Sequence, residues 1–197
     1  MEPVNAWLVA PRATRCPRLF RSQGKAFLNN REVTVPTRGV VFVHSCPPAV
    51  CPHVEWAVSR VLSTPVRLQW TAQPADASTQ RAECAWSGRL GTGAELAAAL
   101  RQWPMLRFEV TEEPSSGVDG ERIMYAPGRG VFRATMSANG DILVPEDRLR
   151  ALLSQTSAAE ALAHGIDKLL GSAWDAELEP YRQAGDGAPV TWLTQAG

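Results

Sequence analysis

The segment GVVFVHS, residues 39–45, constrains the fold more than any other part of the sequence. Its side chains are apolar on both alternating sets of positions, which is typical of a central strand covered on both faces. Pro52 suits a first helical position, and the valine-rich stripe that follows it predicts a helix ending before Pro65. The sequence therefore predicts a buried central strand followed by a helix.

Residues 66–113 continue this alternation. Period-two patterns predict strands in VRLQWTAQ and RAECAWSG, and again in LRFEVTEE. Between the last two, TGAELAAALRQW predicts a helix that starts with a capping box of Thr92 and Glu95. The resulting order β-α-β-β-α-β predicts a ferredoxin-like core over residues 37–113.

Two further blocks complete a single α/β (α+β) domain, residues 37–182. Residues 114–144 predict an antiparallel β-meander that extends the first sheet or forms a second one. Residues 145–182 predict C-terminal helices that cover the second face of the first strand. In one of these helices, four residues are expected to face inward: Leu162, Ile166, Leu169 and Leu170.

The two ends of the chain differ from this body. The first 31 residues hold six basic groups and one acid, which leaves a net charge of about −5 on the rest. We expect residues 1–36 to be a disordered leader or to precede the true translation start; the alternative is a basic arm for an acidic partner. Residues 183–197 are expected to be loosely ordered.

Composition excludes several classes of protein. The net charge is zero, so no global field attracts nucleic acid or an anionic membrane. Four scattered cysteines do not make a disulfide scaffold, and the early apolar runs are shorter than a signal peptide or a membrane span requires. We therefore expect a cytoplasmic protein with no membrane contact and no nucleic-acid partner.

The stretch HSCPPAVCPHVEW, residues 44–56, has the densest chemistry and allows three interpretations: a stiff joint, a metal site or a redox pair. His44 and Cys46 share strand parity and should point to one face, while Cys51 and His53 follow at a helix start. These four residues are the weak candidates for a metal site. A helix N-terminus also lowers a thiol pKa, which makes Cys51 the candidate reactive cysteine.

One face of the first predicted helix carries a different signal. His53, Trp56 and Arg60 share a side away from the valine stripe, and an aromatic next to an arginine is typical of an interface anchor. The alternative is that Trp56 packs under the C-terminal helices. We interpret His53, Trp56 and Arg60 as a binding face.

Motifs for catalysis or cofactors are weak elsewhere. The turn GRLGTGAE lacks the lysine and hydroxyl residue of a phosphate-binding loop, and the acidic loop EEPSSGVDGE has no nearby histidine. The sequence holds no nucleophile elbow, zinc-protease or dinucleotide motif, so we expect no cofactor. The polar positions of the predicted sheet also lack the aromatics of an RNA-binding face.

Three segments resemble an actinobacterial family of uncharacterised proteins: RGVVFVHSCPPAVCPHVEWAVSRVL, LRFEVTEEPSSGVDGERIMYAPGRGVF and NGDILVPEDRLRALL. The resemblance spans about residues 37–153 and implies a cytoplasmic bacterial protein linked to central carbon or fatty-acid metabolism. It implies no activity and no site residue. We therefore predict a non-catalytic binding or regulatory protein whose partner is another protein or a small metabolite. The alternative is a thiol- or metal-dependent enzyme centred on Cys51 and His53.

Overall fold

A computed structural model describes residues 36–184 of the chain. This part is a mixed α+β protein in which one antiparallel sheet of seven strands is accompanied by five helices. The strands are β1 Pro36–Cys46, β2 Thr71–Ala72, β3 Gln80–Arg89, β4 Arg107–Glu112, β5 Gly120–Ala126, β6 Gly130–Met136 and β7 Ile142–Leu143. The helices are α1 Cys51–Leu62, α2 Thr92–Leu100, α3 Glu146–Gln155, α4 Ala159–Leu170 and α5 Ser172–Gln183. The strands lie in the order β2-β3-β1-β4-β5-β6-β7.

The face of the sheet that contacts α1 and α2, here called the first face, is apolar. Val43 of β1 and Phe108 of β4 are buried there against Val54 of α1 and Leu96 of α2. Each such side chain contributes ~1.5–3 kcal/mol when fully buried. The valine stripe of the sequence is therefore the inward side of α1, as predicted.

The opposite face, here called the second face, is covered in part by α5. Leu178 of α5 is fully buried, and the ring of Trp174 packs 5.3 Å from that of Phe132 on β6. Nε1 of Trp174 donates to the carbonyl oxygen of Gly130 at 3.0 Å. Because α5 also contacts β1, the prediction that a C-terminal helix covers the second face of the first strand is confirmed for part of that strand.

The predicted order β-α-β-β-α-β is found, and the meander extends the same sheet. The second strand is shorter than predicted, since only Thr71–Ala72 pair with β3. Just before them, Leu68 donates its backbone N–H to Glu55 of α1 instead of to a neighbouring strand. With so short a second strand and a sheet that continues beyond β4, the ferredoxin-like assignment of residues 37–113 stays a prediction.

Helix α2 begins without the predicted capping box. Glu112 of β4 accepts the backbone N–H groups of Gly91 and Gly93, each at 2.8 Å, while Thr92 donates its hydroxyl to the carbonyl oxygen of Arg89. A carboxylate at a helix N-terminus is favoured by the helix dipole. Gly91 has φ +87°, a conformation that favours glycine. The start of α2 is therefore held by a neighbouring strand.

Helices α3 and α4 differ from the rest because neither has a buried residue. Leu152 of α3 lies against Gly165 of α4, but Leu153 is 62% exposed and Ile166 is exposed as well. The prediction that α4 turns its apolar residues inward is wrong for Ile166, and the other three are half-buried. An amphipathic pattern marks an apolar side but does not determine what covers it.

The predicted leader, residues 1–36, and tail, 183–197, lie almost wholly outside the described residues. The boundaries of the 37–182 domain therefore remain predictions. Within residues 36–184, no helix is long and apolar enough to cross a membrane.

Candidate functional site

Cys46 and Cys51 meet at the junction between β1 and α1. Both are free cysteines, their sulfur atoms lie 3.6 Å apart, and both belong to the apolar core of the first face. Each sulfur also lies within hydrogen-bonding distance of the carbonyl oxygen of Pro47, at 3.4 Å and 3.6 Å. The carbonyl group of Pro47 thus contacts both reduced thiols inside the core.

Burial decides the chemistry of this pair. Burial raises the pKa of the Cys46 thiol, and contact with Cys51 raises it further. Burial also raises the pKa of the Cys51 thiol, although hydrogen bonds offset part of the effect. The expectation of a lowered pKa at Cys51 is therefore wrong, because loss of solvation outweighs the helix N-terminus. The geometry favours a structural joint.

A β-bulge separates His44 from Cys46. The pairing of β1 shifts between Val43 and Cys46, so that one more residue fits between them than regular pairing allows. Cys46 consequently joins the first face, whereas His44 points to the second face with Nε2 2.8 Å from Oε1 of Glu109. The prediction that His44 and Cys46 share a face is wrong, since an added residue inverts strand parity.

His53 does not complete a site with the thiols. It lies on the exposed side of α1, where its ring stacks on Trp103 at 6.4 Å. No hydrogen bond joins it to Cys51 among the residues described. Over residues 36–184, no group of three or more His, Cys, Asp or Glu side chains is arranged to hold a metal ion. The four candidate ligands, His44, Cys46, Cys51 and His53, are thus divided between two faces of the sheet and the surface.

Glu109 is the centre of a buried ionic cluster on the second face. This Glu109 cluster consists of Glu109, His44, Arg122, Arg182 and Asp175. Arg122 donates through Nε and Nη2 to Oε2 of Glu109 at 3.0 Å and 2.8 Å, and Arg182 donates through Nε to Oε1 at 2.6 Å. Both arginines also donate to Oδ1 of Asp175, at 3.0 Å and 2.9 Å. The cluster joins β1, β4, β5 and α5.

Glu109 is ionised although it is only 2% exposed. Burial alone would raise its pKa, but the hydrogen bond from His44 and the charges of His44, Arg122 and Arg182 outweigh burial and hold the pKa well below its usual range. Removing one partner from such a cluster leaves an uncompensated buried charge. The arrangement therefore fixes the ring of His44 and leaves its Nδ1 as the nitrogen not committed to Glu109.

This cluster was not predicted from the sequence. The alternating pattern of LRFEVTEE puts Glu109 on the polar side of its strand, but the pattern does not show that this side is buried. A signal was available, because a first strand that is apolar on both faces predicts that a neighbouring carboxylate is covered too and needs cations. Arg122 and Arg182 give no comparable signal, since they lie 13 and 73 residues from Glu109 along the chain.

The predicted binding face of His53, Trp56 and Arg60 lies along the outer side of α1. Trp56 is 58% exposed, so the alternative that it packs under the C-terminal helices is wrong. The guanidinium carbon of Arg60 lies 4.9 Å from the centre of the Trp56 ring, within cation–π distance. Both residues line an open groove of about 450 Å³ between α1 and residues 63–67, here called the Trp56 groove. His53 lies outside its lining.

Over residues 40–195, the sequence matches the family described as "Protein of unknown function (DUF3145)". The match covers well over half of the chain and continues past the region of resemblance, residues 37–153. No curated protein and no solved structure matches the chain. A functional argument therefore rests on the geometry described above.

Proposed function

The chain therefore belongs to this family of unknown function, and we propose that it is a non-catalytic binding protein that holds an acidic segment of a partner protein in the Trp56 groove. The observation that carries the proposal is the exposed Trp56 ring, stacked with Arg60 beside an open groove. A tryptophan is highly buried on average, and tryptophan and arginine are the residues most enriched among the energetic anchors of interfaces.

The charges of the groove favour an acidic partner. Arg60 and Arg67 lie in its lining together with one carboxylate, Glu55. Glu55 is largely buried and accepts hydrogen bonds from the backbone of Leu68 and from Nε1 of Trp70, as well as from Arg67. In the described part of the chain, the groove therefore has two guanidinium groups and only one carboxylate. This excess of positive charge attracts carboxylates of a partner and repels basic segments.

The proposal also includes the ferredoxin-like assignment, the bacterial origin and the metabolic link that were predicted from the sequence. The ferredoxin-like assignment of residues 37–113 is supported by the element order and by the position of β1 between β3 and β4. The resemblance supports an actinobacterial, cytoplasmic protein whose partner acts in central carbon or fatty-acid metabolism. The alternative enzyme, centred on Cys51 and His53, has less support, because burial raises the pKa of the thiol and no hydrogen bond joins the two among the described residues.

Peptide selection tests the proposal directly. Random peptides displayed on phage are selected on the immobilised full-length protein, with W56A used to remove peptides that bind elsewhere. We expect the survivors to be rich in Asp and Glu around an apolar residue. Their affinity should fall at least ~10-fold in W56A and fall again when salt is raised, because rim charges are screened.

A matched control distinguishes binding in the groove from nonspecific binding to exposed apolar side chains. Leu153 of α3 is another large apolar side chain with similar exposure, so L153A should leave the selected peptides bound as tightly as before. Peptides without an acidic bias, or an equal loss of affinity in L153A and W56A, would contradict the proposal.

A further inference from the structure

We propose that a second site, separate from the Trp56 groove, binds a small planar monocarboxylate in a cleft next to the Glu109 cluster. Helix α5 contacts β5 and part of β1 on the second face, and beside it a cleft remains over β1, β2 and β3. The resulting cleft, here called the His44 cleft, has a volume of about 220 Å³. Its principal lining residues are Phe42, His44, Thr71, Arg81, Glu83 and Tyr181.

His44 supplies a fixed polar atom to this cleft. Its side chain is 11% exposed, and Nε2 is held by Glu109, which is itself held by Arg122 and Arg182. An ionised carboxylate stabilises the proton on Nε2, so Nδ1 is an acceptor that can take a hydrogen bond from a ligand N–H or O–H and directs a ligand carboxylate away from itself, towards Arg81. Such support from a buried partner is what distinguishes a prepared binding atom from a mobile surface histidine.

Arg81 supplies the charge. Ala82 pairs with Val43 on the first face, so its neighbours Arg81 and Glu83 project from the second face. Among the residues described, Arg81 has no hydrogen-bond or ion-pair partner. A guanidinium group binds a carboxylate through two parallel hydrogen bonds. The carboxylate of Glu83 repels a second negative charge, which favours a monoanion over a phosphate dianion.

The aromatic walls determine the shape of the ligand. The ring of Phe42 lies parallel to that of His44, with centroids 6.1 Å apart and 6° between the planes. The other wall is Tyr181, whose ring is stacked on the guanidinium group of Arg107, with the guanidinium carbon 4.6 Å from the ring centroid. The cleft has the volume of about seven water molecules at ~30 Å³ each. Flat walls around so small a space suit a planar ligand of the size of benzoate.

Benzoate is accordingly the first probe. We titrate ¹⁵N-labelled full-length protein with benzoate, with its neutral analogue benzamide and with inorganic phosphate, and follow the amide resonances. We expect benzoate to cause saturable shifts at Phe42, His44 and Arg81. Benzamide and phosphate should bind at least ~10-fold more weakly, since they lack a charge or carry too much of it.

Charge-matched variants decide whether Arg81 is the anchor. R81Q should lose at least ~10-fold in benzoate affinity with an unchanged spectrum elsewhere. R38Q removes the same charge from an exposed arginine of β1 and should bind as well as the wild type. W56A should also bind benzoate normally, which separates this site from the proposed function. The proposal is overturned by unsaturable shifts, by equal binding of benzamide, by shifts confined to the Trp56 groove, or by equal affinities of R81Q and R38Q.

Discussion

Strands β1 and β4 contribute side chains to two different buried regions, one on each face of the sheet. On the first face, Val43 and Phe108 meet apolar residues of α1 and α2. On the second face, their sequence neighbours His44 and Glu109 contact each other, and Glu109 also binds two arginines. Both interiors are buried, yet one is stabilised by apolar area and the other by matched charges. Burial alone therefore does not show what kind of core a strand has.

The two interiors should also respond differently to substitution. Apolar packing is non-directional, so it tolerates a change of side chain that preserves volume. A buried ionic cluster depends on the charge of every member, so a substitution of equal size that removes one charge is costly. Four predictions follow from this contrast, from the largest expected effect to the smallest.

The largest effect is expected from E109Q. The side chain keeps its size, but Arg122 and Arg182 lose a buried counter-charge, so the free energy of unfolding should fall by about 3–5 kcal/mol. Urea unfolding followed by circular dichroism measures it. E113Q, which removes the partner of the exposed Arg38, should cost less than about 1 kcal/mol. A loss below about 1 kcal/mol in E109Q would mean that Glu109 is replaceable by a neutral residue.

On the first face, size should matter more than chemistry. Leu100 of α2 is fully buried, so L100A should lower the free energy of unfolding by about 2–5 kcal/mol through lost contacts and a cavity. L100M nearly preserves volume and should cost less than about 1.5 kcal/mol. The same urea measurement applies. If L100M were as harmful as L100A, this face would be as specific as the ionic one.

Acid should weaken the second face selectively. The pKa of Glu109 is lowered in the folded protein from its ordinary value of 4.5, so its contribution to stability is present above about pH 4.5 and is lost as the pH falls towards the folded value. Urea midpoints between pH 3 and pH 7 should therefore converge for the wild type and E109Q at the acidic end. A gap that widens on acidification would contradict the ionised state of Glu109.

The smallest effect concerns the thiols. In a C16S background, Cys46 and Cys51 should react with a disulfide reagent at pH 7.5 at least ~10-fold more slowly in the folded protein than in urea, because burial raises the pKa of both. C51S should bind the selected acidic peptides as the wild type does. Rapid labelling of Cys51 in the folded state would instead support the alternative of an enzyme centred on Cys51 and His53.

The sequence predicted what depends on local pattern. The two-sided apolar character of residues 39–45 identified the central strand, and the stripe after Pro52 identified the buried side of α1. What it missed depends on single residues far apart. The bulge between Val43 and Cys46 inverts the strand parity, and no glycine in this segment indicates it. The prediction that His44 and Cys46 share a face was therefore wrong. Likewise, the sequence of α4 does not show that Ile166 is exposed within the described part of the chain.

The Glu109 cluster also bears on the order in which the chain can fold during synthesis. Every residue of the first-face core in β1, α1, β3, α2 and β4 has been made once residue 112 is added, whereas Arg182 follows about 70 residues later. At 5–20 residues per second, this delay is roughly 4–14 s. Pulsed hydrogen exchange on ribosome-bound chains would show β1 protected before α5 if the delay matters. During that interval Glu109 lacks one of its two arginines. The buried ionic cluster is therefore completed only after the apolar core of the first face has been synthesised.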